Sequence, residues 1–319
     1  MEHFFDTASI KDDYDVVILG AGPAGCTAAL YTSRDELSTL VLERNVPGGQ
    51  MGITAHIDNH PGVAETITGV ALAERYHKQA ARFGAIIRYG ECQSIVANGK
   101  DKILTIAGSD KPVNARAVII ATGCYPRSMG VEGEQRFIGR GVSMCATCDG
   151  GFYRDKVVVA VGGGNTALNE SIYLTRFAKR VYIVHRRDTF RATKICERAA
   201  RENPKIELVL DSVVEQVIGT DKVSAALLRN LKTNEMRTID TDGVFVFIGN
   251  VANSKPFEGL LKLDNNGFII TDEHMQTNVS GIFAAGDVRS KEFRQIAIAT
   301  GEATTAAQAV SAYLQQLSY

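Results

Sequence analysis

Two glycine signatures, each leaving an apolar run and opening an alanine-containing stretch, constrain this chain more than any other feature. Gly20-Ala21-Gly22-Pro23-Ala24-Gly25 follows Asp15-Val16-Val17-Ile18-Leu19, and Gly162-Gly163-Gly164-Asn165-Thr166-Ala167 follows the apolar run 156–161. In such a turn the first glycine permits the tight reversal, the second lets the backbone approach a pyrophosphate, and the third position lets the helix pack on the strand. The phosphates then meet the free amides that open the helix. A second apolar run follows each presumptive helix, at 37–43 and 180–184. Eighteen residues separate Gly25 from Glu43, and eighteen separate Ala167 from His185. The chain therefore carries two nucleotide-binding units on one template, an internal repeat, and its expected class is α/β with doubly wound parallel sheets.

Between the two units, 117–123 is an apolar strand ending in a small-residue turn, and 243–249 has the same character. These are read as two crossings between modules. A second domain, 124–245, is then inserted into a first made of 1–123 and 246–319. The length of 319 residues suits about two domains. With 35 basic and 36 acidic residues, the net charge of −1 gives no footprint for nucleic acid. No apolar run approaches the ~20 residues of a membrane span. The start, Met1 to Asp6, lacks the basic-then-apolar layout of a signal peptide, so a cytoplasmic protein is expected.

The ends of the two second strands differ. Glu43, with Arg44 beside it, stands where an acceptor for ribose hydroxyls belongs. The matching position is His185, followed by Arg186, Arg187 and then Arg191. An acid there would repel a 2′-phosphate, whereas guanidinium groups bind it bidentately. The first unit is thus tuned to a dinucleotide with free ribose hydroxyls and the second to NADPH.

Cys145-Ala146-Thr147-Cys148-Asp149 is the one close cysteine pair among six cysteines. In a reducing compartment such a pair is redox-active or half of a metal site. Zinc needs two further ligands, and Cys26, Cys92, Cys124 and Cys196 are scattered singly, so no metal is expected. The lone cysteines read as small buried hydrophobes. Asp149 is placed either to exchange a proton with the thiols or to cap a turn.

Taken together these motifs resemble the low-molecular-weight, bacterial-type thioredoxin reductases, over nearly the whole chain. The likeness adds Gly48-Gly49-Gln50 and Asn59-His60-Pro61-Gly62 as a flavin-proximal segment, and Gly286-Asp287 with Arg294-Gln295 as a second one. It implies two Rossmann-like, three-layer ββα domains, with FAD in the first and NADPH in the second. It implies that Asp287 bonds the ribityl chain and that the backbone at Arg294, Gln295 and Ala297 approaches the flavin ring. It assigns Cys148 to face the flavin, Cys145 to attack the partner disulfide, and Asp149 to shuttle the proton. Thioredoxin or a thioredoxin-like protein is the implied partner, and a homodimer the implied assembly. Because both the cysteines and the NADPH cradle fall on the inserted module, rotation about the two crossings is expected. Three positions depart from the family pattern: His60 replaces an aromatic, Ala252 a proline and Asn169 an acid. The alternatives are a related flavin disulfide oxidoreductase served by ferredoxin or NADH, a dithiol oxidase, and a non-catalytic flavin-binding redox sensor.

Overall fold

Strict alternation along the central strands builds both units. The structure, a computed structural model, describes residues 5, 10–45, 47–54 and 57–317. Residues 1–4 and 6, on which the expected location partly rests, lie outside them. The chain divides into two compact units, Met1–Tyr125 with Val251–Tyr319 and Pro126–Asn250.

In the first unit the parallel strands run in the order Ile86–Tyr89, Thr39–Glu43, Asp13–Leu19 and Val113–Ile120, and Ile282–Ala284 pairs with the last of these. A hairpin, Cys92–Asn98 and Asp101–Ile106, continues the sheet antiparallel from Val113–Ala115. Successive side chains of a strand point to opposite faces. Val16, Ile18, Val41, Ala117 and Ile119 therefore join a core shared with the helices Pro23–Arg34 and Ile296–Gln316, through Ala28, Ala29, Ala303 and Val310. Val17, Leu19, Leu40, Leu42, Val118 and Ile120 pack instead on Leu104, Ile106, Phe257 and Ile269 on the other face. The result is the three-layer arrangement that the sequence implies.

The second unit repeats the plan. Its parallel strands run Ile206–Val209, Arg180–Val184, Val157–Val161, Gly243–Val246 and Val142–Ser143. Val158, Ala160, Val181, Ile183 and Phe245 pack on the helix Asn165–Leu174 through Ala167, Leu168 and Leu174. Val159, Val184, Val244 and Val246 face an antiparallel meander, Ser212–Gly219, Val223–Asn230 and Met236–Asp240, through Val214, Val217, Ala226 and Leu228. The run 243–249 thus begins as an inner strand of this sheet, paired on both sides, before the chain leaves the unit. Among the described residues no helix is long and apolar enough to cross a membrane.

Phe245 is fully buried and meets Tyr153 edge-on at 4.9 Å between ring centres. Phe245→Ala is expected to destabilise the protein by about 3–5 kcal/mol, read as a lowered urea midpoint with an unchanged slope.

Candidate functional site

The first cradle forms where Leu19 gives way to Gly20. Gly20 takes φ +107°, donates its amide to the Leu42 carbonyl at 2.7 Å, and leaves no room for a Cβ against the Ala121 carbonyl. A Cβ on Gly25 would run into the carbonyl oxygen of Gly20, so helix and turn touch through backbone alone. Gly22 is open, its nearest neighbour being the Gly48 carbonyl oxygen at 3.9 Å from an added Cβ. Pro23, which has no amide hydrogen to satisfy, opens the helix.

Other segments named from the sequence converge here. The Gly48 amide donates to the Ala21 carbonyl at 2.9 Å, and Gly49 lies over Gly22. Gly286, at φ +79°, packs against the Cβ of Ala24, which brings Asp287 to the same corner. Glu43 is buried. Its Oε2 accepts the Ala21 amide and its Oε1 the Asn45 amide, both at 2.8 Å, so each oxygen keeps a lone pair for a ribose hydroxyl. Arg44 instead reaches Glu91 and Asn253, each at 3.0 Å. Asn59 and Gln295 meet through their side chains at 3.4 Å, and Ala297 follows in the first turn of the last helix.

Behind Asp287 lies a charged cluster that sequence spacing did not reveal. Lys291 is 3.1 Å from both Asp287 and Glu302, while Glu302 also pairs with Arg289 and accepts the Gly286 amide. Asp287 Oδ1 is buried, and its approach to Lys291 has no hydrogen-bond geometry. Arg294, whose Cζ lies 4.3 Å from the centre of the Phe268 ring, likewise leaves its buried Nε without a hydrogen bond. Open glycines, an acceptor at the strand end and unsatisfied buried polar atoms fit a dinucleotide.

The second cradle repeats the geometry with one change. Gly162 takes φ +153° and donates to the Val184 carbonyl at 3.1 Å; an added Cβ there would meet the Phe247 carbonyl oxygen at 2.5 Å and the Ala167 Cβ at 2.6 Å. Gly164 faces open space. Gly163 lies on the His185 ring so closely that no Cβ fits. His185 is buried, stacks on Phe190 at 5.3 Å and engages the Thr189 carbonyl at 3.2 Å. The Arg191 amide returns to the Gly163 carbonyl at 2.8 Å, and Asn165 Oδ1 accepts the Thr193 amide at 2.7 Å. The loop after His185 is thereby folded back onto the cradle, with Thr166 exposed beside it. Arg186, Arg187 and Arg191 are exposed, and none makes an ion pair with another described residue. Unpaired guanidinium groups beside an open glycine fit a phosphorylated ribose.

The cysteine pair lies in the same unit. Cys145 and Cys148 form a disulfide with Cα atoms 5.3 Å apart, at the short helix Ala146–Asp149. Ser143 Oγ accepts the Cys145 amide at 3.1 Å, and Cys145 Sγ accepts the Cys148 amide at 3.1 Å. The Asp149 amide donates to the Cys145 carbonyl at 3.1 Å. The Ala146 amide goes to Glu170 Oε2 at 3.0 Å, and the Thr147 amide bonds to the same carboxylate. Burial raises the Glu170 carboxyl above its ordinary range, with those two amides working against it. Nothing in sequence spacing marks Glu170. Three of the four lone thiols behave as expected: Cys26, Cys92 and Cys124 are buried, and burial pushes the first two up to about 12 and the third to about 11. Cys196 is half-exposed and reaches Asn169 at 3.3 Å. Among the described residues no cluster of histidine, cysteine and acid side chains is placed to hold a metal.

A dithiol centre beside one of two nucleotide cradles defines an oxidoreductase that exchanges electrons between a nicotinamide and a disulfide. The family profile described as pyridine nucleotide-disulphide oxidoreductase matches residues 14–303. The chain is 47% identical over 305 residues to the thioredoxin reductase of Bacillus subtilis, covering 95% of this chain and 96% of that protein. It is 46% identical over 311 residues to the thioredoxin reductase of Listeria monocytogenes, covering 97% of each. The crystal structure of thioredoxin reductase from Streptococcus pyogenes matches with a TM-score of 0.91 at 44% identity, over 96% of this chain and 100% of that one. The chain belongs to the pyridine nucleotide-disulphide oxidoreductase family, in the branch of the low-molecular-weight thioredoxin reductases.

Burial lowers the His185 pKa. The Thr189 carbonyl opposes this, and Arg186, Arg191 and Arg187 add to it. The folded state therefore disfavours the protonated ring. Its contribution to stability is complete above the ordinary histidine value of ~6.5 and is lost as pH falls below it toward the depressed folded value. His60, also lowered by burial, acts in the same sense. His185→Asn is expected to flatten the decline of Tm between pH ~6.5 and ~5, measured by thermal unfolding.

Proposed function

We propose that the protein is an NADPH-dependent thioredoxin reductase, which delivers reducing power through Cys145 and Cys148 to the disulfide of thioredoxin or a thioredoxin-like protein. The observation that carries this is the Cys145–Cys148 disulfide on the same unit as a cradle flanked by three unpaired arginines. Bound on the first unit, FAD supplies the conversion of a hydride donor into a reductant of sulfur.

The two cradles and the family's motifs support the following residue roles. Gly20, Gly22, Ala24 and Gly25 bring backbone to the flavin dinucleotide's pyrophosphate, and Glu43 takes ribose hydroxyls. Gly48, Gly49 and Gln50, with Asn59, close over that cradle. Asp287, backed by Lys291, receives the ribityl chain, while Arg294, Gln295 and Ala297 lie toward the ring. In the second unit Gly162, Gly164, Asn165, Thr166 and Ala167 receive the NADPH pyrophosphate. His185 shapes the ribose site, and Arg186, Arg187 and Arg191 take the 2′-phosphate.

In the reduced pair the Cys145 thiolate attacks one sulfur of the partner disulfide. That S–S bond breaks, and the other partner sulfur leaves as a thiolate that takes up a proton. Cys148 then attacks Cys145, releasing the second partner sulfur and closing the 145–148 bond. Two electrons and two protons pass to the partner. Asp149, next to Cys148, holds the proton that Cys148 gives up. The division between the two cysteines and a homodimer rest on the family resemblance, and a cytoplasmic location rests on the sequence at the start of the chain.

Anaerobic titration of the purified yellow protein with NADPH is expected to bleach its flavin absorbance. Cys148→Ser should keep that bleaching and lose thioredoxin reduction altogether. A colourless protein, or a Cys148→Ser variant that still turns over thioredoxin, contradicts the reading. Each lost charge-assisted contact costs about 1.5–3 kcal/mol. Replacing Arg186 and Arg187 by alanine should therefore raise KM for NADPH at least roughly tenfold while leaving KM for NADH unchanged in steady-state assays.

A further inference from the structure

The Glu170 carboxylate has no part in the reaction just described, yet it is bonded to the turn between the two cysteines. Its element is the nucleotide helix Asn165–Leu174, anchored through buried Leu168, Ser171 and Leu174. Its Oε2 accepts the Ala146 amide at 3.0 Å, and the Thr147 amide bonds to the carboxylate as well. The next amide, that of Cys148, goes to Cys145 Sγ at 3.1 Å. Two of the three amides of Ala146, Thr147 and Cys148 are thus taken by an anion.

We infer that Glu170 is a positioning residue that keeps the Cys145–Cys148 pair strongly reducing, by occupying the turn amides and setting a negative charge beside Cys145. The role assumes that Cys145 and Cys148 are the redox pair of the proposed function. Free amides and nearby cations stabilise a thiolate, and a like charge disfavours it. A pair whose reduced form is stabilised becomes an oxidant. Glu170 does the converse: it withholds that stabilisation from the reduced pair, as a donor of electrons requires.

Among the described residues no cation forms an ion pair with Glu170. On the redox segment Asp149 and Tyr153 are titratable, and the latter is pushed up to about 12 by burial with Asp149 and Asp242; the cations that follow turn elsewhere, Arg154 to the Phe177 ring and Lys156 to the Phe152 carbonyl. On the helix Lys194–Glu202, which packs across the nucleotide helix, Lys194 and Arg201 are paired with Glu197, Arg198 is exposed and makes no ion pair with Glu170, and Cys196 reaches Asn169. On the adjoining strand Arg180 is paired with Glu207, and Tyr182 lies under the Arg237 guanidinium.

The test equilibrates the full-length protein anaerobically with mixtures of reduced and oxidised dithiothreitol. Dithiothreitol gives two electrons and two protons to the 145–148 S–S bond, which becomes two thiols, and itself closes to a cyclic disulfide. Thiol trapping and peptide mass spectrometry count the dithiol. Glu170→Gln keeps an acceptor of the same shape and removes the charge. It is expected to shift the equilibrium toward the dithiol at least tenfold, about 30 mV for a two-electron couple. Iodoacetamide alkylation of Cys145 should move to lower pH in the same variant. Glu170→Ala, which also frees the amides, should shift both further in the same direction. A Glu170→Gln protein with wild-type equilibrium and a wild-type alkylation profile overturns the inference, even if it melts earlier, because a purely structural role would move only stability. Wild-type protein that passes no electrons from NADPH to thioredoxin overturns the proposed function instead, in a separate assay.

Discussion

At Gly25 the first helix presses its backbone onto the carbonyl of Gly20, and no side chain could stand between them. That approach sets the position of the amides that open the helix, and through them where a pyrophosphate can rest. Gly22 stays open above, Gly48 and Gly49 close from one side, and Gly286 with Asp287 arrives against Ala24 from another. The second unit solves the same problem with Ala167, whose methyl fits because Gly162 provides the missing volume. One geometric demand, backbone on backbone at the end of a central strand, thus organises both halves of the molecule.

What separates the halves is the residue that closes each second strand. Glu43 is held by two amides and presents oxygens. His185 is stacked on Phe190 beneath Gly163 and presents the arginine loop tied back by Arg191. On the proposed function, the same fold distinguishes two cofactor classes by an acid at the end of one strand and an arginine loop after the other, and the disulfide is carried on the unit with that cationic loop.

Strands and cradles were legible because their signals are local. Continuous apolar runs marked the central strands, and the cradles follow from glycines at fixed offsets. The cysteine pair was legible for the same reason. Contacts across long stretches of chain were not. Glu170 meets Ala146 from twenty-four residues away, and Arg44 turns to Asn253 from the far end of the sequence. Neither has a periodicity that a linear pattern can display. The run 243–249 was read as strand-like and as a crossing, and only the pairing of Gly243–Val246 on both sides shows that it begins as an inner strand. The Lys291–Glu302–Arg289 cluster escaped notice because charged residues near a glycine turn usually signal solvent rather than one another.

The sheltering of three spare sulfurs has its own consequence. Cys26, Cys92 and Cys124 sit in apolar surroundings that hold them as neutral thiols at physiological pH. Peroxides and disulfides react with the ionised sulfur, so these three are inert bystanders to an oxidative burst. Oxidation is then left to the half-exposed Cys196 and to the Cys145–Cys148 pair, and on the proposed function only that pair is restored by the next turnover.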